Sequence, residues 1–498
     1  MAKPTFWNRT TSLLVFCMAV AIASSAQSLT TLASFTDING SYPYATLTQG
    51  LDGDFYGTTV YGGANCLPGG CGTIFKVTSQ GTITTLYSFC AQSNCADGMY
   101  PYAGLVLGTD GNFYGTTSEG GANGHAGTIF KISAAGKFTS IYSFCAQINC
   151  ADGDYPTGGV VQGADGNFYG TTFSGGLHDA QYCSSACGTV FKITPKGTLT
   201  TLHSFVGFNT EGSNPGSGLV QGKNGDLYGT TNFGGFYNLS CNPPLGCGTV
   251  FQITRNGVVT TLYSFAGSPG DGAIPAAGLL YNGNGKFYGT TSQGGTGDDG
   301  TIFEITPSGS LTTLHNFCPQ PFCNDGGDPV AALTRATDGW LYGTAARGGT
   351  GLVGSVFRST LGAGLATIYS FCAQGYPVCP DGYLVDGGLL QATDGSFYGT
   401  TSEGGAEGFG TVFRLNVGLG PFVRLLHDPA RVGQKFGILG GHLTGTTAVS
   451  LNGTPATFKV VSDTFIGATV PFGATTGYVS VVTPSGTLTS NMPLYVIK

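Results

Sequence analysis

Charged side chains are scarce in this sequence, at 9% of 498 residues, and its 19 lysines and arginines are outnumbered by 26 aspartates and glutamates. A nucleic-acid partner calls for clustered basic residues facing the phosphates, so neither DNA nor RNA is an expected ligand. Charge-driven disorder is excluded as well, because a net charge of −7 is small beside a hydrophobic content of 41%. One apolar run lies near the start and none of spanning length follows it, whereas a membrane-crossing helix needs ~20 such residues. No segment carries a convincing helical period. A phosphate loop or dinucleotide fingerprint therefore has no strand-to-helix setting in which to work.

What is abundant is glycine, at 86 residues, together with 24 tyrosines and 33 phenylalanines. Turn formers beside strand formers predict an all-β chain. Lys3 and Arg9, an apolar run over residues 12–23 and the small residues Ser24, Ser25 and Ala26 predict a signal peptide over residues 1–26. A membrane anchor is the alternative, for which the run is short. Cys17 follows the bulky Phe16 inside that run, a poor setting for lipid attachment. The mature chain is thus expected to be secreted, whether extracellular, periplasmic or at the cell surface, with no membrane span.

One marker orders the rest. Phe-Tyr-Gly-Thr-Thr stands at 55–59, 113–117 and 168–172, each time after Asp-Gly, and four more copies centre on Tyr228, Tyr288, Tyr342 and Tyr398, after Asn224-Gly225, Asn284-Gly285, Asp338-Gly339 and Asp394-Gly395. Successive copies are 54 to 60 residues apart, longer than the roughly 40 to 50 of a four-stranded propeller blade, and the excess is loop. Each unit holds four strand-like runs, in the second unit 104–107, 112–117, 127–132 and 138–144. The Asp-Gly link predicts a tight type I′ hairpin, so the four runs form an antiparallel meander. The second run is apolar without strict alternation, which suits a sheet covered on both faces by its neighbours. The third run occurs seven times, and so does the fourth, but the first copy of the fourth, at 30–35, precedes every other strand. A seven-bladed β-propeller over residues 27–417, its last blade completed by the N-terminal strand, accounts for that displacement.

The core Asp-Gly-x-Phe-Tyr-Gly-Thr-Thr followed by Gly-Thr-Ile-Phe-Lys-Ile, present in all seven units over about residues 28–415, resembles the GloVer tandem repeat of bacterial exported proteins. That family is defined by its repeat, so the resemblance implies export and architecture but no activity. From 418 to 498 the period breaks into short runs around Val432-Gly433, Ile438-Leu439-Gly440, 449–453, 466–471 and 477–481, with Asn452-Gly453 as a hairpin turn. These predict a small immunoglobulin-like β-sandwich. Their order, through Thr483-Pro484-Ser485-Gly486, resembles an IPT/TIG domain, which implies a spacer or docking role.

Apart from Cys17, the cysteines fall into seven close pairs: Cys66/Cys71, Cys90/Cys95, Cys145/Cys150, Cys183/Cys187, Cys241/Cys247, Cys318/Cys323 and Cys372/Cys379. In a secreted chain these predict local disulfides. Zinc is the alternative, against which no second pair or histidine regularly accompanies each one, and neither metal nor cofactor is expected. Every pair lies in a fourth-to-first or second-to-third connection, and alternating strand direction puts all of these on one face. Binding is expected there, although the loops would also serve merely to cover the sheets. Tyr61, Glu119, Asp152, Tyr182, Tyr237, Tyr376 and Glu403 are the candidate ligand-binding residues. His203 and His315 replace Tyr87 and Tyr263 in the fourth strand and are expected to pack, while the recurrent Asp52, Asp110, Asp165, Asp338 and Asp394 read as turn residues. The leading expectation is a monomeric, non-enzymatic propeller that recognises an extracellular glycan or surface protein. The alternatives are a polysaccharide hydrolase or lyase using loop carboxylates, and a structural envelope component.

Overall fold

The computed structural model describes residues 27–497 except residue 67 and residues 178–186, 208–210, 236–240, 242–245, 320–322, 362–363, 374, 376–378 and 427–429. The expected signal peptide with Cys17 lies outside the described residues, as do Tyr182, Cys183, Tyr237 and Tyr376. The chain is all-β; 3-10 turns at Ser93–Cys95 and Ile148–Cys150 are the only helical pieces among the described residues.

Each repeat supplies a four-stranded antiparallel sheet whose strands pair in sequence order. In the second repeat these are Val106–Leu107, Phe113–Thr117, Thr128–Ile132 and Phe138–Ser143. The link between its first two strands differs from the expected type I′ turn. Gly111 has φ +77 and its N–H bonds to Gly108, while Asp110 is not in the left-handed region. This is a type I turn closed by a left-handed glycine, a cheaper solution because only one residue needs positive φ. The Asp110 carboxylate accepts the Asn112 N–H at 3.1 Å and the Tyr114 hydroxyl at 2.9 Å. That explains why Asp or Asn recurs in the turn.

Phe113 and Tyr114 of the five-residue marker stack on neighbouring sheets, Phe113 on Tyr56 at 4.1 Å, and the other three residues each have a separate job. Tyr114 is buried and stacks on Phe168 of the next sheet, with ring centroids 4.0 Å apart. A Cβ on Gly115 would lie 2.5 Å from the Phe130 ring of the neighbouring strand, so only glycine fits beneath that phenylalanine. Thr116 donates its hydroxyl to the Gly158 carbonyl of the next repeat at 3.1 Å. Thr117 shares a 2.8 Å hydrogen bond with Thr128 on the adjacent strand. In the sixth repeat Ala345 stands in place of this last threonine, and the Ser355 hydroxyl opposite it is buried without a partner.

The same contacts join the last repeat to the first. Ser28–Ser34 pairs antiparallel with Thr411–Asn416, completing the sheet built on Phe397–Thr401 and Leu390–Gln391. Tyr398 stacks on Phe55 at 3.9 Å, and Thr400 donates to the Pro43 carbonyl at 3.0 Å. On the opposite side, the Gln49 carboxamide accepts the Thr393 N–H at 3.2 Å, as Gln162 accepts that of Thr109 at 2.9 Å.

The C-terminal segment forms two four-stranded sheets. Phe436, Ile438 and Ile466 of one face Val449, Leu451, Val479 and Val481 of the other across one core. Asn452 and Gly453 have φ +47 and +80, the positive pair of a two-residue hairpin turn between Leu451 and Thr454. The run expected at Val432-Gly433 is not a strand. Gly433 adopts φ +81 and makes a turn instead, and the strand begins at Lys435.

Candidate functional site

The chain enters each repeat through a residue with positive φ, usually followed by proline: Tyr42, Tyr100, Tyr155, Asn214, Ile274, Asp328 and Leu384, with φ between +53 and +57. A non-glycine residue in this region stores strain and persists only when its surroundings hold it. Two hydrogen bonds do so. The Tyr100 N–H bonds to the Cys71 carbonyl of the preceding repeat, and the Tyr100 carbonyl takes the Ser118 N–H of its own second strand, both at 3.0 Å. Between the last repeat and the first, Tyr42 N–H bonds to the Phe409 carbonyl at 3.2 Å.

The residues that follow converge. Tyr44 to Thr46, Tyr102 to Gly104, and the equivalent positions at 157–159, 216–218, 276–278 and 330–332, with Asp386 and Gly388, line one depression of about 180 Å³. All seven repeats contribute, and they do so at the end of the fourth-to-first connections, on the side that carries the cysteines. The lining is uneven. Small residues such as Gly216 and Ala276 face one side, while Tyr44, Tyr102 and Asp386 come from the first, second and seventh repeats.

Around these three lies an arc of rings and carboxylates. Tyr44 stacks between Tyr42 at 6.2 Å and Tyr102 at 6.1 Å, and Tyr61 meets Tyr42 and Tyr100 edge-on at 5.6 and 5.3 Å. Burial, then the charge of Asp386, pushes the Tyr44 phenol up to about 12. Burial also raises the Asp386 carboxyl; the Ser402 hydroxyl, donating at 2.6 Å, opposes this, and the negative charges of Asp328 and Glu403 add to it. Asp328 is raised by burial against the pull of Arg347, whose guanidinium stands 3.6 Å away. Asp154 is raised by burial and by Glu119 and Asp152. Desolvated acids beside aromatic faces can accept hydrogen bonds from hydroxyls or ammonium groups while the rings cover apolar surface.

Of the candidates read from the sequence, Tyr61, Glu119 and Glu403 stand within this arc; the Glu403 carboxylate takes the Tyr383 hydroxyl. Asp152 has another place. It is fully buried and accepts the Tyr142 hydroxyl at 2.8 Å and the N–H groups of Ala146 and Gln147 at 3.0 and 3.1 Å. The same clasp joins Tyr87 to Asp97, Tyr263 to Asp271 and Tyr369 to Asp381, and His203 and His315 reproduce it with Glu211 and Asp325 at 3.1 and 2.9 Å. Sequence reasoning missed Tyr42, Tyr44, Tyr100, Tyr102 and Asp386. The doubled Tyr-Pro-Tyr-Ala at 42–45 and 100–103 was the available signal.

Six cysteine pairs are bonded as expected: Cys66–Cys71, Cys90–Cys95, Cys145–Cys150, Cys241–Cys247, Cys318–Cys323 and Cys372–Cys379. Cys187 is also disulfide-bonded, and its expected partner Cys183 lies outside the described residues. These cysteines differ in exposure: Cys66 is exposed, and Cys90, Cys95, Cys145, Cys150, Cys318 and Cys323 are half-buried. Cys187, Cys247 and Cys379 are buried, as are Cys71, Cys241 and Cys372. Cys187 packs in the apolar cluster of Tyr169, Val190 and Phe205, and Cys241 and Cys247 in that of Val250 and Phe265. Cys379 is held from the backbone, its carbonyl accepting the N–H groups of Gly382 and Gly405, both at 3.0 Å. A disulfide is apolar and has no strong hydrogen-bonding group, so it gains by turning inward and pinning the loop to the sheet edge. These cysteines support the face that carries the depression and do not themselves line it.

Two of these pairs do come close to each other. Cys66, Cys71, Cys90 and Cys95 have sulfurs within 4.8 Å of one another, brought together by folding across two connections. As two disulfides they offer no thiolate to a metal.

A model of the Gloeobacter/Verrucomicrobia repeat matches residues 18–176, 145–321 and 240–428. No curated protein matches the chain. Among solved structures, the extracellular domain of a provisionally assigned hybrid two component system from B. thetaiotaomicron is similar at 11% identity and a TM-score of 0.48, over 93% of this chain and 58% of that one. A provisionally assigned 6-phosphogluconolactonase from Bacteroides uniformis is similar at 16% identity and a TM-score of 0.40, over 65% of this chain and 83% of that one. A luciferin-regenerating enzyme matches at 12% identity and a TM-score of 0.37, over 80% and 97%.

Proposed function

The chain belongs to the Gloeobacter/Verrucomicrobia repeat family, and from that premise we propose that it is an exported seven-bladed β-propeller that binds a glycan at the centre of its disulfide-bearing face. The ring closure rests on the pairing of the N-terminal strand with the last repeat and on the stacking of Tyr398 on Phe55, a contact also made by Tyr56 with Phe113, Tyr114 with Phe168, Tyr228 with Phe287 and Tyr342 with Phe397. Local disulfides suit an oxidising compartment outside the cytoplasm. The C-terminal segment, read as an IPT/TIG-like sandwich, serves as spacer on the opposite face.

The observation that carries the binding reading is the depression lined by all seven repeats, where Tyr44 and Tyr102 present stacked rings beside the Asp386 carboxylate. Binding of the folded protein to an array of polysaccharides and surface proteins tests it. Retention of one glycan class, lost in Tyr44→Ala and Tyr102→Ala, is the expected result, and an array blank for every glycan overturns the reading.

A second reading has one observation in its favour. The raised carboxyl of Asp386 is the state a general acid needs, so a polysaccharide hydrolase is the competing activity. Turnover of a bound polysaccharide, abolished in Asp386→Asn, distinguishes it from simple recognition.

A further inference from the structure

The connections on the cysteine-bearing side carry 16 of the chain's 26 acidic residues but one of its 19 basic residues, Arg347. Of those acids Asp97, Asp152, Glu211, Asp271, Asp325 and Asp381 are consumed by the loop clasps. Asp386, Glu403, Asp328, Asp154 and Glu119 surround the tyrosine arc instead, and Arg347, which is well exposed, pairs with Asp328 only at 3.6 Å. The face of a protein with scarce charge is therefore strongly one-signed where the depression opens.

Three ligand chemistries meet that field differently. An anionic glycan such as a polyuronate is repelled by it. A neutral glycan stacks on Tyr44 and Tyr102 but leaves the mutual repulsion of the carboxylates in place. A divalent metal such as calcium needs several oxygens converging on one point at about 2.3 to 2.6 Å. Among the described residues, the clusters tight enough for shared coordination are the four cysteines above and Asp299 with Cys318 and Cys323; none includes Asp386, Asp328 or Glu403. The acids of the depression are thus dispersed around the rings. Dispersed carboxylates with aromatic faces between them match a ligand carrying several separate ammonium groups, each taking charge-assisted hydrogen bonds from an acid or a cation–π contact from a ring.

We propose that the ligand is cationic, a glycan whose sugars carry free amino groups, held with its sugar faces on Tyr44 and Tyr102 and its ammonium groups among Asp386, Glu403 and Asp328. This rests on the glycan-binding reading given above. Charge of this density at the mouth also raises the encounter rate of a polycation and makes binding fall with added salt.

Calorimetry with a β-1,4-linked glucosamine hexamer and its fully N-acetylated counterpart tests the charge separately from the sugar. The glucosamine hexamer is expected to bind at least tenfold more tightly, and the advantage to disappear in Asp386→Asn/Glu403→Gln. Arg347→Gln, a change at an exposed side chain that leaves the fold alone, is expected to tighten the glucosamine hexamer severalfold. Equal binding of the two hexamers, or no response to Arg347→Gln, overturns the cationic inference while leaving glycan recognition standing. Tight binding of calcium chloride in competition with the hexamer overturns it in favour of a metal. Absence of binding by both hexamers overturns it too, and the array then decides whether any glycan is bound.

Discussion

Tyr398 of the last repeat lies against Phe55 of the first with ring centroids 3.9 Å apart and planes 28° from parallel, and Tyr56 meets Phe113 in the same way at 4.1 Å and 27°. If the sheets close into a ring, the two contacts are equivalent and should cost the same to break. Removing a large buried aromatic costs about 3–5 kcal/mol. Tyr398→Ala and Tyr56→Ala should therefore lower the denaturation midpoint by equal amounts. A loss in Tyr398→Ala less than half that of Tyr56→Ala would show that the ends are not held as the interior is.

The marker made the sheets legible in the sequence because each of its residues answers a local demand that recurs. Gly115 must leave room for Phe130, and Thr117 must face Thr128. The depression was harder to read. Its lining varies from Tyr44 to Gly216 to Asp386, and these positions become neighbours only after seven sheets are packed. No spacing within one repeat encodes that convergence. The clasps were hidden for a different reason: Asp152 looks like any loop acid until the Tyr142 hydroxyl is placed against it. The cysteine pairing was legible from spacing, but the burial of Cys187, Cys247 and Cys379 was not, since it depends on which way each loop folds over its sheet. The four-cysteine cluster likewise forms between connections that are separate in the sequence.

Asp386 should trade stability for function. Burial, then the charges of Asp328 and Glu403, hold its folded-state carboxyl above the ordinary value despite the Ser402 bond. A folded state that binds the proton more tightly loses stability as pH rises from about 3.9, the unfolded value, through the raised one. Asp386→Asn keeps an acceptor for Ser402 and removes the charge, so it should raise Tm at pH 7, with the gain fading as pH falls below about 4. Equal melting temperatures for variant and parent at pH 7 would contradict the electrostatic account of this site.

The clasps predict a local defect. Asp152→Ala leaves the Tyr142 hydroxyl and two loop N–H groups without their acceptor, at a cost of about 1–3 kcal/mol for each buried group so stranded. Hydrogen exchange should quicken over residues 144–154 while the strand Thr128–Ile132 stays protected. Uniform acceleration across the whole sheet would mean that the clasp supports the repeat as well as its loop.

Each disulfide closes a short loop, as in Cys145–Cys150 with a separation of 5, so removing one should cost about 2 kcal/mol on the loop-entropy account. Cys145→Ser/Cys150→Ser is expected to lower stability by that amount, read from denaturant midpoints, and to leave the neighbouring bonds unchanged in non-reducing peptide maps. The pair Cys66–Cys71 and Cys90–Cys95 is the place to look for exchange, since the four sulfurs lie within 4.8 Å. A variant lacking Cys71 and Cys95 should join Cys66 to Cys90 if the cluster tolerates a swap, and the map reads the new peptide directly.

Among the described residues, the C-terminal segment meets the repeats at the buried Phe422, whose N–H bonds to the Thr393 carbonyl at 3.0 Å, at Met492 beside Arg335, and through three further polar contacts. Thr464 donates to the Leu51 carbonyl at 2.6 Å, Tyr495 to that of Gly283 at 2.6 Å, and Lys223 lies over the Tyr495 ring at 5.6 Å. Its own apolar core, from Val423 to Leu494, includes no residue of the repeats. Two cores joined by one buried aromatic side chain and a few polar contacts, the latter each worth about 0.5–1.5 kcal/mol, should melt nearly independently. Deleting residues 421–498 should then leave the sheets folded with a Tm lower by only a few degrees, and calorimetry of the full chain should resolve two transitions. A truncated chain that fails to fold would make the segment an integral support of the turn-bearing face. In that case Tyr495→Phe, which removes one hydroxyl and no packing, should already weaken the repeats measurably.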